Sequence, residues 1–208
     1  MTKSIAVDLH YFPNLEFFAA IADADELVFF PEETYQRQSF FNRTQIRLAN
    51  KVGTLSVPIQ GRRPRISLKD IKIDTTQNWV NIHLRGIQSA YGKAAFYEYY
   101  FPYFEKVYQK NLESLWELNW QMLTICLKLL GLSVKMRIQE NSLEQSWTAD
   151  IRGQLMPSAP FWEREYYQPE LYFQLFGLDF DPNLSILDLL FCEGPASTSI
   201  VLKSVKKR

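Results

Sequence analysis

Three segments near the start of the chain restrict its fold more than any other feature. Ser4 to Leu9 is a short apolar run suited to a strand, and Asn14 to Asp23 carries Leu15, Phe18, Ala19 and Ala22 at helical spacing. Glu26 to Phe30 is then a second strand. A helix of about ten residues between two strands makes a βαβ unit, and such a crossover is what two parallel strands require. Further on, Thr54 to Ile59 alternates with period two, and Pro58 ends that strand or places it at a sheet edge. Ile66, Leu68, Ile71 and Ile73 form two alternating pairs out of phase by one, the pattern of a bulge or bend at Lys69-Asp70.

From Thr76 to Leu132 the apolar spacing turns helical and predicts helices over 77–90, 94–109 and 112–130, with Gly131 placed for a left-handed C-terminal cap. Ser133 to Ile138 alternates and returns the chain to a sheet. The rest is short pieces: an aromatic segment at 161–173, a Pro182-Asn183 turn, a helix at 186–191 and a helical tail ending in the basic residues from Lys203 to Arg208. A length of 208 residues without a linker or repeat fits one domain over 1–208. The expected class is α/β, a mostly parallel or mixed sheet with a helical half packed on it.

The composition excludes several functions. Lysine plus arginine number 23 and aspartate plus glutamate 23, so no surplus of positive charge exists for nucleic acid or a membrane surface, and neither is expected as a partner. The most apolar long stretch, 112–132, holds Glu113, Glu117 and Lys128 and cannot serve as a spanning helix. No export signal is expected at the N-terminus, with Asp8, His10 and Glu16 inside the length an apolar core would need. Cys126 and Cys192 sit in apolar surroundings and read as buried thiols, so a cytoplasmic location is expected.

The eight glycines never form Gly-x-Gly, which removes dinucleotide and Walker phosphate loops, and no Gly-x-Ser-x-Gly elbow occurs. Two histidines and two cysteines far apart give no zinc spacing, and no metal site is expected from the sequence, although a carboxylate-only magnesium site would leave no trace in it. The sequence names no cofactor. His83 falls on the stripe Trp79, Ile82, His83, Gly86, Ile87, Ala90, Tyr91, which makes it either a hydrogen-bonded core histidine or an acid or base lining a pocket. Gly86 leaves room there for a ligand or a close helix contact. His10 follows the first strand, and in open α/β sheets ligands bind at the strands' carboxyl ends.

Asn42, Arg43 and Arg47 lie among aromatics, and a guanidinium fork suits a carboxylate or phosphate; in a helix Arg43 and Arg47 would share a face. Arg62, Arg63 and Arg65 form a second basic cluster in a loop, read as solvated charge or an anion site. Zero net charge therefore permits a small anionic ligand in a local basic pocket. Eight aromatics between Tyr91 and Phe104 form either core or a surface for a partner, a sugar or a second copy of the chain. Ser185-Ile186-Leu187-Asp188 matches a capping box with aspartate in place of glutamate.

Taken in order, His10-Tyr11-Phe12-Pro13, Phe17-Phe18, Asp25, Asn42-Arg43, Leu55-Ser56-Val57-Pro58, Trp79 to His83, Tyr91-Gly92-Lys93 and Leu184 to Phe191 with Gly194 resemble the WbqC-like family over about residues 5–195. The chain carries His10 where that family usually has glutamine, and Phe41 near a usual tryptophan. The resemblance implies a role in surface-polysaccharide biosynthesis, of O-antigen or lipopolysaccharide, as a transferase on an activated amino sugar. It also carries over Tyr11, Pro13, Asn42, Arg43, His83, Tyr91 and Asp188 as a shared site. On that reading His83 and His10 are the catalytic residues, and Asn42, Arg43, Arg47, Tyr11 and Tyr91 bind a small anionic or sugar-nucleotide ligand, with His83, Arg43 and Tyr91 converging in one pocket. The alternative is a non-catalytic ligand-binding or interaction module that uses the aromatic helix, for instance in a homodimer.

Overall fold

A parallel strand pair needs a return path, and a six-residue helix supplies it. Ser4–Ala6 (β1) and Glu26–Phe29 (β2) pair in parallel with Ile5 opposite Leu27, and Leu15–Ala20 (α1) carries the chain between them. The Asn14 side chain starts that helix by accepting the Phe17 N–H at 3.1 Å. The computed structural model describes residues 2–61, 65–140 and 147–207. Arg62, Arg63 and Pro64 of the second basic cluster, and Arg208 of the tail, lie outside the described residues.

Arg43–Arg47 (β3) and Val52–Ser56 (β4) form a separate antiparallel pair in which Arg43 faces Ser56. The helical spacing entertained for 43–47 is thus corrected to a strand. Period two still sets Arg43 and Arg47 on one side, because Thr44 and Ile46 are the residues turned inward. The pairing stops at Ser56, two residues before Pro58. The bulge expected at Lys69-Asp70 is a 3₁₀ turn over Leu68–Asp70, which buries Leu68, Ile71 and Ile73 without making a strand.

Trp79–Tyr91 (α2), Tyr97–Tyr108 (α3) and Leu115–Leu129 (α4) follow the helical spacing closely. Gly131 adopts φ +64° just past α4, which only glycine does without strain. On α2 the buried stripe is Trp79, His83, Ile87, Ala90 and Tyr91, while Ile82 is 63% exposed and drops out of it. A Cβ on Gly86 would stand 3.1 Å from Leu55, so that glycine serves a close helix–strand contact. Of the eight aromatics from Tyr91 to Phe104, Tyr99 and Tyr103 are exposed and the others are buried or half-buried.

Lys135–Ile138 (β5) joins β2 in parallel, and the two-residue Ala149–Asp150 (β6) joins β1, giving a sheet of order β5-β2-β1-β6 in which every pairing is parallel. Ile186–Glu193 (α5) and Ser197–Lys203 (α6) close the chain. Ser185 caps α5 through Leu187 N–H, but Asp188 does not complete a capping box. Its carboxylate instead accepts Tyr172 O–H at 2.7 Å and Gln174 N–H at 3.0 Å. The architecture is α/β, with a mostly parallel sheet, a small antiparallel pair and helices over a shared apolar core. Both cysteines are buried and free.

Two buried polar contacts fasten distant segments to this core. Glu16 on α1 is fully buried and receives a two-pronged bond from Arg164 at 2.5 and 2.6 Å. Asn119 on α4, also fully buried, donates to Leu9 O at 3.3 Å and Phe41 O at 2.7 Å, joining the loop after β1 to the approach to β3. Truncating that amide leaves two enclosed carbonyls without a donor. Asn119→Ala is expected to lower unfolding free energy by about 3 kcal/mol; a loss under about 1 kcal/mol in urea denaturation would show that the contacts are not needed.

An acidic cleft at the carboxyl edge of the sheet

Strands that all run one way deliver their outgoing loops to a single edge. Beyond β1 that edge receives Asp8 and His10, beyond β2 it receives Glu33, and beyond β6 it receives Arg152. Asp8, Glu33 and Arg152 wall an outer cleft of about 420 Å³ together with Asp150 and Gln154. A narrow inner chamber of about 40 Å³ continues from it, reaching His10, Ser39, Phe41 and Met156. Asp8 and Glu33 line both spaces.

Arg152 organises the cleft mouth. Its guanidinium donates to Asp150 at 2.9 and 2.5 Å, ion-pairs with Glu33, and lies 4.0 Å over the Phe30 ring. Those hydrogen bonds hold the Asp150 carboxyl below its ordinary value. Asp8 and Glu33 behave oppositely. Burial pushes the Asp8 carboxyl above the usual 3.8, against the opposing pull of the Gly153 N–H, which it accepts at 2.7 Å, and of Arg152. Burial likewise raises Glu33, with Arg152 opposing and the Asp8 charge adding to the rise. Two carboxyls of raised basicity beside a fixed guanidinium hold a proton more readily than ordinary carboxylates do.

His10 closes the inner chamber. It is 2% exposed, packed between Phe17 and Phe40 at ring distances of 5.4 and 5.5 Å, and its Nδ1 has no hydrogen-bond partner. Burial lowers its pKa to about 3, so the ring is neutral at physiological pH. An enclosed imidazole nitrogen without a partner is an exception among buried polar groups, and it belongs to a histidine that lines the chamber. Among the described residues no group of three or more His, Cys, Asp or Glu side chains is placed to hold a metal ion.

The other residues expected to form a site are brought elsewhere. His83 is 1% exposed; its Nδ1 meets Tyr11 Oη at 2.7 Å and its Nε2 meets Ser56 O at 3.1 Å, so neither ring nitrogen is free for a substrate. Burial lowers it to about 4. Tyr11 also shares a short hydrogen bond with Tyr108, and burial raises the Tyr11 hydroxyl well above its ordinary value. Asn42 donates to Val57 O at 2.9 Å and accepts Tyr35 O–H at 3.0 Å, linking loops to β4's exit. Tyr91, fully enclosed, accepts the Arg47 backbone N–H at 3.3 Å, and the Arg47 guanidinium pairs with Asp181 at 2.5 Å. Arg47 lines a separate depression of about 500 Å³ with Gly177, Asp179 and Asp181. The expected convergence of His83, Arg43 and Tyr91 in one pocket is therefore corrected: His83 and Tyr91 line none of these spaces and are spent on buried contacts.

Asp8, Glu33, Asp150 and Arg152 were not singled out from sequence as site residues. The signal was available, because Asp8 and the Glu32-Glu33 pair each lie within a few residues of a strand's carboxyl end. The carboxyl-end rule that selected His10 selects them too. Arg152 was hidden by β6, whose two residues make no pattern.

The fold and cleft define an α/β protein with an acidic cleft at the carboxyl edge of a parallel sheet. The model of the WbqC-like protein family matches residues 9–155, and the chain belongs to that family. It is 26% identical to Uncharacterized protein Rv1507c of Mycobacterium tuberculosis, over 93% of this chain and 95% of that protein. No solved structure matches it. The family match contains His10, Glu33 and Arg152 and stops short of Asp188. No helix among the described residues is long and apolar enough to cross a membrane.

The raised Asp8 carboxyl has a consequence for stability. An acid whose folded pKa exceeds its unfolded one supports folding fully below the unfolded value, and that support is lost as pH rises through the folded one. Asp8→Asn, which keeps an acceptor for Gly153, is expected to gain melting temperature over the parent progressively as pH increases above 3.8. A gap that does not change with pH in parallel melts would contradict the burial penalty.

Proposed function

We propose that the protein is a transferase of surface-polysaccharide assembly, of the O-antigen or lipopolysaccharide type, which modifies the amine of an activated amino sugar at the sheet's carboxyl edge. The observation that carries this reading is the pair Asp8 and Glu33, both held above their ordinary pKa at the mouth of a chamber that ends in the unpartnered His10. An acidic cleft draws in an ammonium group, and a carboxylate of raised basicity suits its deprotonation. The freed amine nitrogen attacks the carbonyl carbon of an acyl thioester. A nitrogen–carbon bond forms, the carbon–sulfur bond breaks and the thiolate leaves with the bonding pair; of the two protons nitrogen loses, the one from the ammonium passes to Asp8 or Glu33 and on to solvent, and the one shed as the amide forms goes to the thiolate. Arg152 orients Glu33, and His10 offers its Nδ1 to the small group in the chamber.

This assignment moves the base from His83 to the carboxylates and makes His83, Tyr11, Asn42 and Tyr91 positioning residues. Arg43, whose buried Nε lacks a hydrogen-bond partner, remains the candidate for the anionic part of a sugar nucleotide. The alternative, an interaction module or homodimer through α3, has Tyr99 and Tyr103 as its exposed rings.

The test is to incubate the purified chain with nucleotide-activated amino sugars and acyl thioesters and to read products by mass spectrometry. N-acylated sugar is expected, with turnover about 10²- to 10⁴-fold lower in Asp8→Asn and Glu33→Gln at unchanged fold. Absence of product across the panel, or turnover unaffected in both variants, refutes the reading.

A further inference from the structure

Another concavity lies against the helices and has a different chemistry. It measures about 530 Å³ and opens between the start of α2 and the end of α3. Its floor includes edges of Trp79 and Tyr108 together with Leu84, and its rim includes the exposed side-chain amides of Asn78, Asn81 and Gln109. No lysine or arginine lines it, and Glu105 is the one carboxylate that does. A phosphorylated ligand would find no countercharge there. A molecule with an apolar face and a perimeter of hydroxyl and acylamino groups finds a complementary floor and rim. Pyranose sugars have that distribution, and the volume exceeds what one ring requires.

Two further observations single out this cleft. Asn78 stands at the N-cap of α2, where an asparagine ordinarily bonds the helix's first N–H groups, yet it makes no capping bond. Its Oδ1 accepts the Asn81 amide at 2.5 Å instead, laying both side chains along the rim. Tyr108, which lines the cleft, sends its hydroxyl inward to Tyr11, the residue after His10. One wall of the cleft is thereby tied to the loop that serves the acidic edge.

We propose that this cleft binds an uncharged sugar residue through its amide rim and aromatic floor, as a site separate from the acidic edge. The site does not depend on the transferase reading, since it binds sugar whether or not Asp8 and Glu33 catalyse.

The chain has five tryptophans, and two report separate places: Trp79 in this cleft, and Trp147 beside Arg152 at the acidic edge. Protein labelled with 5-fluorotryptophan and titrated with N,N′-diacetylchitobiose or lactose is expected to show a selective fluorine shift of Trp79, with a dissociation constant on the order of 1 mM. The exposed pair Asn81→Ala and Gln109→Ala is expected to weaken that response about tenfold. Assignment uses single Trp→Phe variants, with Trp79 identified by elimination of the other four should its own variant not fold. No shift of Trp79, a shift confined to Trp147, equal shifts at all five positions, or a Trp79 response unchanged in the double variant each overturns the proposal. Loss of activity in Asp8→Asn with the sugar response intact would leave this site standing, and absence of transfer would not touch it.

Discussion

The segment Leu9–Pro13 leaves β1 and passes directly through the interior, which obliges the rest of the molecule to meet its polar groups. A buried backbone without partners costs about as much as a lost hydrogen bond for each group. Asn119 from α4 answers Leu9 O, Phe40 O accepts Tyr11 N–H at 2.9 Å, and Thr44 from β3 donates to Phe12 O at 2.8 Å. Ser185 also reaches Phe12 O, and Ile186 N–H donates to Pro13 O at 2.9 Å. The side chain of Tyr11 engages His83 from α2 and Tyr108 from α3. Four helices and the second sheet thus take their positions from one short stretch of chain.

The same stretch divides labour by residue. Asp8 and His10 look into the cleft and chamber, while Tyr11 and Phe12 turn into the core. Parallel strands make this economical, because the loops leaving β1, β2 and β6 arrive together without further folding. Arg152 then needs little travel to span Asp150 and Glu33, and the aromatic rings beneath it keep its fork flat. The electrostatic outcome follows from this placement: Asp150 shares Arg152 strongly and stays acidic, whereas Asp8 and Glu33 carry more desolvation than compensation.

What the sequence revealed and what it hid divide along physical lines. Apolar periodicity over many residues was sufficient for α2, α3 and α4, and the βαβ pattern at the start gave the parallel pair. Strand β6 was invisible because two residues have no period, and with it went Arg152. The spacing of Arg43 and Arg47 suited a helix or a strand equally, and only the inward Thr44 and Ile46 decide between them. His83 was correctly placed on a buried face, but burial alone does not reveal whether imidazole nitrogens meet a substrate or a neighbour's hydroxyl. That distinction lay with Tyr11 and Ser56, which are 72 and 27 residues away in the chain. Net charge concealed the acidic edge for the same reason, since Asp8, Glu33 and Asp150 gather only in space.

Phe12 holds φ at +42°, a left-handed conformation uncommon for a residue with a side chain. Its carbonyl has Thr44 and Ser185 as donors and its ring lies 5.3 Å from Phe104, so the surrounding elements enforce a geometry the residue would not choose alone. Release of those elements lets the backbone at Phe12 relax, and two residues upstream His10 loses its place in the chamber. The geometry of the chamber is thus tied through Phe12 to the packing of the core.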